Sequence, residues 1–326
     1  MVLALGGLTG EVLQRLVEVE PLVTDQLPLR MAAQYWQWLG RFGNDGRLPA
    51  HRCVAALETA EGLFRKLCNE RHVHACLRMR AEALVELGDL AAASQAIEGA
   101  RQFEGAGHPL ADRMRRLRIE GMILDGQGDY ASAVERLEQA LDLARLADIH
   151  RYVVTLTQDI GQTLLNAGDA VAAEQRFRAV LGDLRPDLSV ALSAAYARMG
   201  LAIALLAQGQ LQPARAAALE AVPLLRSCGI LLTHSEGFAW LLAALGQPHR
   251  AALLLRTADS FRAVSQVARG PMLARAYQAA RDLLAGYTDD HAQSGERIVS
   301  DLELAQLLIA SLGAQDEAVP RGNMPA

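Results

Sequence analysis

Residues 121–140 read GMILDGQGDYASAVERLEQA, and the turn Gln127-Gly128-Asp129 at their centre decides the fold. Gly128 follows an apolar helix end and can take the left-handed backbone that stops a helix, while Asp129 can cap the helix that follows. The same stop and start recurs at Gly88, Gly168, Gly209 and Gly246, so that the five glycines lie 40, 40, 41 and 37 residues apart. Each is followed by a polar residue: Asp89, Asp129, Asp169, Gln210 and Gln247.

Four further columns keep the same register. A small residue stands seven places before each turn glycine (Ala81, Gly121, Gly161, Ala202, Ala239), and alanine stands five places after it (Ala93, Ala133, Ala173, Ala214, Ala251). Two antiparallel helices joined by a tight turn approach closely only where small side chains occupy their crossing, which accounts for both columns. Ala100, Ala140, Val180, Ala221 and Ala258 form a third, and Ile97, Leu137, Phe177, Ala218 and Leu255 supply the larger groups between repeats.

These residues resemble the tetratricopeptide repeat, most closely from Gly121 to Ala140. The resemblance implies an all-α fold: a right-handed superhelix of about six helix pairs with C-terminal capping helices. The family's unit is about 34 residues, so a period near 40 calls for longer helices or longer links. Residues 1–264 are assigned to the solenoid, with a degenerate first pair at about 27–68 containing Tyr35-Trp36-Gln37-Trp38 and clear repeats at about 71–264. A short helix from about Gly10 to Val19 precedes them. Residues 265–312 hold capping helices, one opening at Pro271 and one at Ser300-Asp301, and residues 313–326 are expected to be disordered.

The closing segment, from Ala251 through Phe261, Pro271, Ala280 and Gly295 to Ala305, resembles the end of the repeat domains of bacterial LuxR- or MalT-like regulators. That resemblance implies a ligand- or partner-sensing domain of a transcriptional or signalling regulator. A structural scaffold for assembling a complex, with no sensing role, is the alternative.

Apolar residues make up 51% of the chain, and no β-branched run suggests a strand. The formal charge is −5, which argues against a chain that holds nucleic acid by itself. The start lacks the basic flank of a secretory signal, and no apolar run suffices to cross a bilayer, so a cytoplasmic protein without membrane contact is expected. Cys53, Cys68, Cys76 and Cys228 are too few and irregular for a disulfide framework.

No catalytic chemistry is legible. Lys66, the one lysine, lies in a helical pattern rather than a Gly-rich phosphate loop, and neither Gly-x-Ser-x-Gly nor His-Glu-x-x-His occurs. A non-catalytic binding module without cofactors is expected. On one unbroken helix Cys68, His72 and Cys76 would share a stripe and could approach a zinc ion. The repeat phase puts a helix break near Asn69, which favours buried cysteines, surface histidines and no metal.

In the resembling family the first helix of each pair lines a concave groove, at places fixed relative to the small residue of the crossing. Carried onto this chain, those places hold Arg78, Met79, Glu82, Arg115, Arg118, Met122, Asp125, Gln158, Asp159, Gln162, Asn166, Tyr196, Met199, Ile203, Glu236 and Trp240. Arginines and acids early, amides in the middle and large rings late suit a protein or peptide, or a small effector. The cluster Arg113, Arg115, Arg116 and Arg118 reads either as a solvated face or as the mark of an anionic partner.

Overall fold

The computed structural model describes residues 9–44, 48–105, 107–184, 190–288, 298 and 300–313. Of these residues 82% are helical and none lies in a strand, and the 15 α-helices pack in adjacent pairs as a superhelical repeat. Helix α1 (Thr9–Val19) leads into α2 (Leu29–Gly43) with α3 (Ala50–Lys66), α4 (Glu70–Leu87) with α5 (Leu90–Arg101), and α6 (Leu110–Gly126) with α7 (Tyr130–Leu146). Then come α8 (His150–Ala167) with α9 (Ala170–Asp183), α10 (Val190–Ala207) with α11 (Leu211–Ser227), and α12 (Ser235–Ala244) with α13 (Pro248–Ser265). Helices α14 (Pro271–Leu283) and α15 (Asp301–Gly313) close the chain.

All five turn glycines adopt the left-handed backbone, with φ between 72° at Gly246 and 90° at Gly168. Asp89, Asp129 and Asp169 accept the backbone N–H groups of Ala92, Ser132 and Ala172, so each caps the second helix of its pair. Gln210 and Gln247 make no such bond. Helix α13 instead opens on Pro248, whose missing N–H is no loss in a first helical turn.

The crossings are as close as the small residues suggested. A Cβ on Gly121 would lie 2.7 Å from Leu137 Cγ, and one on Gly40 would lie 2.5 Å from Leu57 Cγ. Gly40 is therefore the crossing residue of the first pair. Ala81, Ala93, Ala133, Ala173, Ala214, Ala239 and Ala251 are all fully buried. The long period has both sources: helices such as α6, α8 and α10 run to 17 or 18 residues, and links such as 102–109 are several residues long.

The closing helices return to earlier repeats. Helix α14 lies against α12, and its Arg275 Nη1 donates to Leu165 O at the end of α8 (3.1 Å). Just before it, the Ala268 N–H donates to Glu86 O at the end of α4 (2.6 Å). Helix α15 packs on α11 and α12, and its last turn is taken up by Arg215 Nε on Leu312 O (2.6 Å) and Gln247 Nε2 on Ser311 O (3.1 Å). Side chains thereby satisfy carbonyls that helix ends leave open. Gly313 belongs to α15, and residues 314–326 of the expected tail lie outside the described residues.

Burial is uneven along the superhelix. One continuous core joins Val154 to Leu312, whereas the earlier pairs hold several smaller clusters. Among the described residues no helix is long and apolar enough to cross a membrane.

Candidate functional site

The first helices of the first four pairs, α2, α4, α6 and α8, enclose a groove of about 720 Å³. Its walls carry Gln34, Gln37, Trp38 and Arg41 from α2, Arg71, His72, Arg78, Met79 and Glu82 from α4, Asp112, Arg115 and Arg118 from α6, and Tyr152 from α8. Five arginines face two carboxylates, so an acidic chain presents a basic cleft.

The arginines are not equivalent. Arg118 bridges three helices, with Nη1 donating to Glu82 Oε1 on α4 (2.8 Å) and Nε to Asp159 Oδ2 on α8 (2.5 Å). Burial would lower its pKa, but these carboxylates outweigh it and hold the guanidinium charged. Arg115 donates to Asp112 Oδ1 (2.8 Å) and to the Tyr152 hydroxyl (2.9 Å), and also sits over that ring at 5.2 Å. Burial pushes the Tyr152 pKa up, yet the charge and hydrogen bond of Arg115 bring it below the ordinary value.

Arg78 differs from both. It makes no ion pair among the described residues, and its Nε is buried without a hydrogen-bond partner. Burial lowers its pKa, and the nearby Tyr152, Glu82 and Asp112 offset this only in part. Arg71, at the helix start, is exposed. Beside it, burial and then the charges of Arg71 and Arg30 depress the His72 pKa and keep the ring neutral. Nδ1 of that ring lies 2.9 Å from Asn69 Oδ1, and the ring stacks on Phe64.

The structure thus gathers Arg78, Met79, Glu82, Arg115 and Arg118 in one cleft and places the remaining groove candidates elsewhere. Asn166 is buried, its Nδ2 donating to both carboxylate oxygens of Asp125 (2.8 and 2.7 Å), and Gln162 lies 3.5 Å from Asn166 Oδ1. With Glu82, Arg118 and Asp159 these residues form a polar ladder tying α4, α6 and α8 together. Met122 and Gln158 are half-buried beside it.

Further along, Met199 and Ile203 are core residues, and Met199 Cε fills the space a Gly237 side chain would need. Tyr196 packs edge-on to His234 at 5.4 Å. Glu236 is fully buried between Arg262 and Arg269 (3.2 and 3.1 Å). Trp240 lines a separate apolar cavity of about 160 Å³ with Ile203, Met272 and Arg275.

Several groove residues were not anticipated, although a signal existed for each. Once Gly40 is aligned with Ala81 and Gly121, then Gln37, Trp38 and Arg41 occupy the places of Arg78, Met79 and Glu82. Arg71, Asp112 and Tyr152 continue the same stripe, nine or ten residues before the crossing residue.

The other chemical candidates resolve by burial. The break before α4 falls at Cys68, where φ is 51°, leaving Cys68 exposed and Cys76 buried with its thiol pushed up to about 12, chiefly by burial. The stripe of Cys68, His72 and Cys76 is not formed. Two details run against expectation: Cys68 is not buried, and His74 is not a surface group but 1% exposed, packed against Glu104 and His108. The arginine cluster splits, Arg115 and Arg118 facing the groove, Arg113 exposed, and Arg116 buried behind them on Glu104 and Glu120.

No protein-family model matches the chain, and no curated protein matches it. Among solved structures, the Rap protein complexed with competence and sporulation factor is similar at 15% identity with a TM-score of 0.56, over 83% of this chain and 80% of that one. BtubC (BKLC) from P. vanneervenii is similar at 15% identity with a TM-score of 0.49, over 77% of this chain and 98% of that one. The likeness to the Rap protein speaks for the fold alone, and together with the left-handed turn glycines and the buried crossings it makes the chain a helical repeat of the tetratricopeptide type.

Proposed function

We propose that the chain is a non-catalytic binding module whose basic groove takes an extended, acidic segment of a protein partner. The observation that carries this reading is Arg78, a half-buried cation of the cleft wall that makes no ion pair among the described residues and whose Nε has no hydrogen-bond partner. An incoming carboxylate would give this guanidinium the ion pair it lacks, through a charge-assisted hydrogen bond. Gln34 supplies an amide on the same wall for a ligand backbone, and Trp38 offers a flat apolar face. The Rap protein, a superhelix of similar fold, forms a complex with a factor, which supports reading such a surface as a receptor.

Within this reading we assign the groove a sensing role, in a bacterial regulator of the kind the closing segment resembles, rather than that of a static scaffold. Glu82 belongs both to the cleft and to the bridge Glu82–Arg118–Asp159. A ligand anion at Arg118 competes with Glu82 and alters what holds α4 to α6, so occupancy biases the helix spacing.

The test is calorimetric titration with extended peptide pools matched in length and differing in net charge. Acidic pools should bind with an affinity that falls as salt rises, and Arg78→Gln should cost at least about tenfold, since hydrogen bonds to charged groups contribute about 1.5–3 kcal/mol. Binding indifferent to peptide charge would overturn the proposal. Tight acidic binding without any change in interhelix distances, measured by spin labels on α4 and α8, would leave a scaffold instead of a sensor.

A further inference from the structure

We propose that His74, Glu104 and His108 form a binding site for a transition-metal dication of the zinc class, at the joint between the second and third helix pairs. His74 projects from α4, Glu104 stands in the 102–109 link, and His108 lies two residues before α6. One ligand atom from each lies within 4.8 Å of the other two. His74 Nε2 is 3.1 Å from Glu104 Oε1, and the two imidazoles meet edge-on with centroids 4.6 Å apart. Bonds of 2.0–2.2 Å in a tetrahedral zinc site set the donors about 3.4 Å apart. The His74–Glu104 pair already stands near that separation, so a small inward movement of His108, on a link rather than in a helix, completes the triad.

A purely structural ion-pair network accounts for only part of this arrangement. Arg116 Nε donates to Glu104 Oε1 (2.8 Å), and its other side is held by Glu120, so the guanidinium has a second carboxylate. Both the His74 and the Arg116 contacts fall on Oε1 of Glu104. Nothing in that network employs His108, whose Nε2 is buried without a hydrogen-bond partner. Buried ring nitrogens nearly always have partners, and a metal ion would supply one.

The donor set selects the ion. Two imidazoles and one carboxylate suit zinc, cobalt, nickel or copper rather than magnesium or calcium, which require oxygen. Three protein ligands leave a fourth position for water or an incoming group. The site also spans two groove helices, since α4 carries Arg78 and the link positions α6 with Arg115 and Arg118. The inference stands apart from the proposed ligand of the groove, and its test needs no such ligand.

The test uses the full chain stripped with a chelator and titrated with Co²⁺ alone, followed by visible absorption, then with Zn²⁺ by calorimetry. One Co²⁺ per chain should bind with the intense bands of four-coordinate cobalt and be displaced by Zn²⁺, while Mg²⁺ should not bind. His108→Ala should weaken binding at least tenfold with little change in melting, as His108 is only partly buried and unbonded at Nε2. Cys68→Ser, which removes the exposed thiol that could capture metal adventitiously, should leave binding unchanged. Should His108→Ala fail to fold, side-chain ¹⁵N resonances of the wild-type chain decide: zinc must shift those of His74 and His108 and leave those of His51 and His249. Absence of saturable binding, loss through Cys68→Ser, full affinity in a folded His108→Ala chain, or unmoved His74 and His108 resonances would each overturn the site.

Discussion

Replacing Gly121 with alanine tests the crossing of α6 and α7 against the ordinary rule for helices. Glycine inside a helix costs about 0.5–1 kcal/mol relative to alanine, so Gly→Ala normally stabilises by that amount. Gly62, on the exposed side of α3, has nothing within 4 Å of a new Cβ and should show this gain in full. At Gly121 the methyl would stand 2.7 Å from Leu137 Cγ, 2.9 Å from Leu137 Cδ2 and 3.3 Å from the Ala133 carbonyl oxygen. Leu137 is 1% exposed, packed between Met114 and the next pair, and cannot withdraw without opening that core. Overpacking of this kind costs about 1–3 kcal/mol, which exceeds the propensity gain. The two substitutions should therefore differ in sign, Gly62→Ala raising and Gly121→Ala lowering the urea midpoint under identical conditions. Equal stabilisation by both would mean that Leu137 does not close the crossing and that the register is wrong.

Further outcomes follow from the same structure. Gly128→Val should destabilise by about 1–3 kcal/mol although the site is sterically open, because φ of 83° is strained for a β-branched residue; unchanged melting would remove the left-handed turn. Ala133→Leu, at a fully buried crossing, should cost at least as much by overpacking, and a neutral result would contradict the packing of α7 on α6. His234 is buried, with both ring nitrogens unpartnered, and burial followed by the charge of Arg262 lowers its pKa from 6.5 to about 4. The unfolded chain then binds a proton that the folded chain resists, so stability should fall as pH drops from about 6.5 towards 4. His234→Phe should flatten the loss in melting temperature between pH 7 and pH 5, and an unchanged slope would place the titration elsewhere.

The fold was legible because its requirements are local and narrow. A left-handed turn admits glycine, a helix start admits aspartate, and a close crossing admits glycine or alanine, so Gly128, Asp129, Gly121 and Ala133 announce their roles in one stretch. Part of the lining of the candidate cleft was legible for the same reason, Arg78, Glu82, Arg115 and Arg118 sitting at fixed offsets from Ala81 and Gly121. Which of them pair was not legible. Glu82, Arg118 and Asp159 are 36 and 41 residues apart in adjacent steps, and the superhelical rotation alone brings them together. Gln37, Trp38 and Arg41 were missed because extra residues after Gly40 obscure the first crossing. The burial of His74 depends on Glu104 and His108, which lie outside the helices, where no periodicity exists.

The central claim, that the concave cleft and not the outer surface recognises an acidic partner, is tested most directly by comparing two pairs of arginines. Arg71→Gln with Arg78→Gln removes cleft charges that make no ion pair among the described residues, so no carboxylate of the ladder is stranded. Arg136→Gln with Arg145→Gln removes two charges from the second helix of a pair, where the side chains are 42% and 56% exposed. Binding of a fluorescein-labelled acidic peptide from the charged pools is followed by anisotropy, with melting confirming both folds. The account predicts a loss of at least about tenfold for the cleft pair, and almost none for the outer pair, since exposed charges contribute little. Equal losses from the two pairs, or a loss from the outer pair alone, would contradict it.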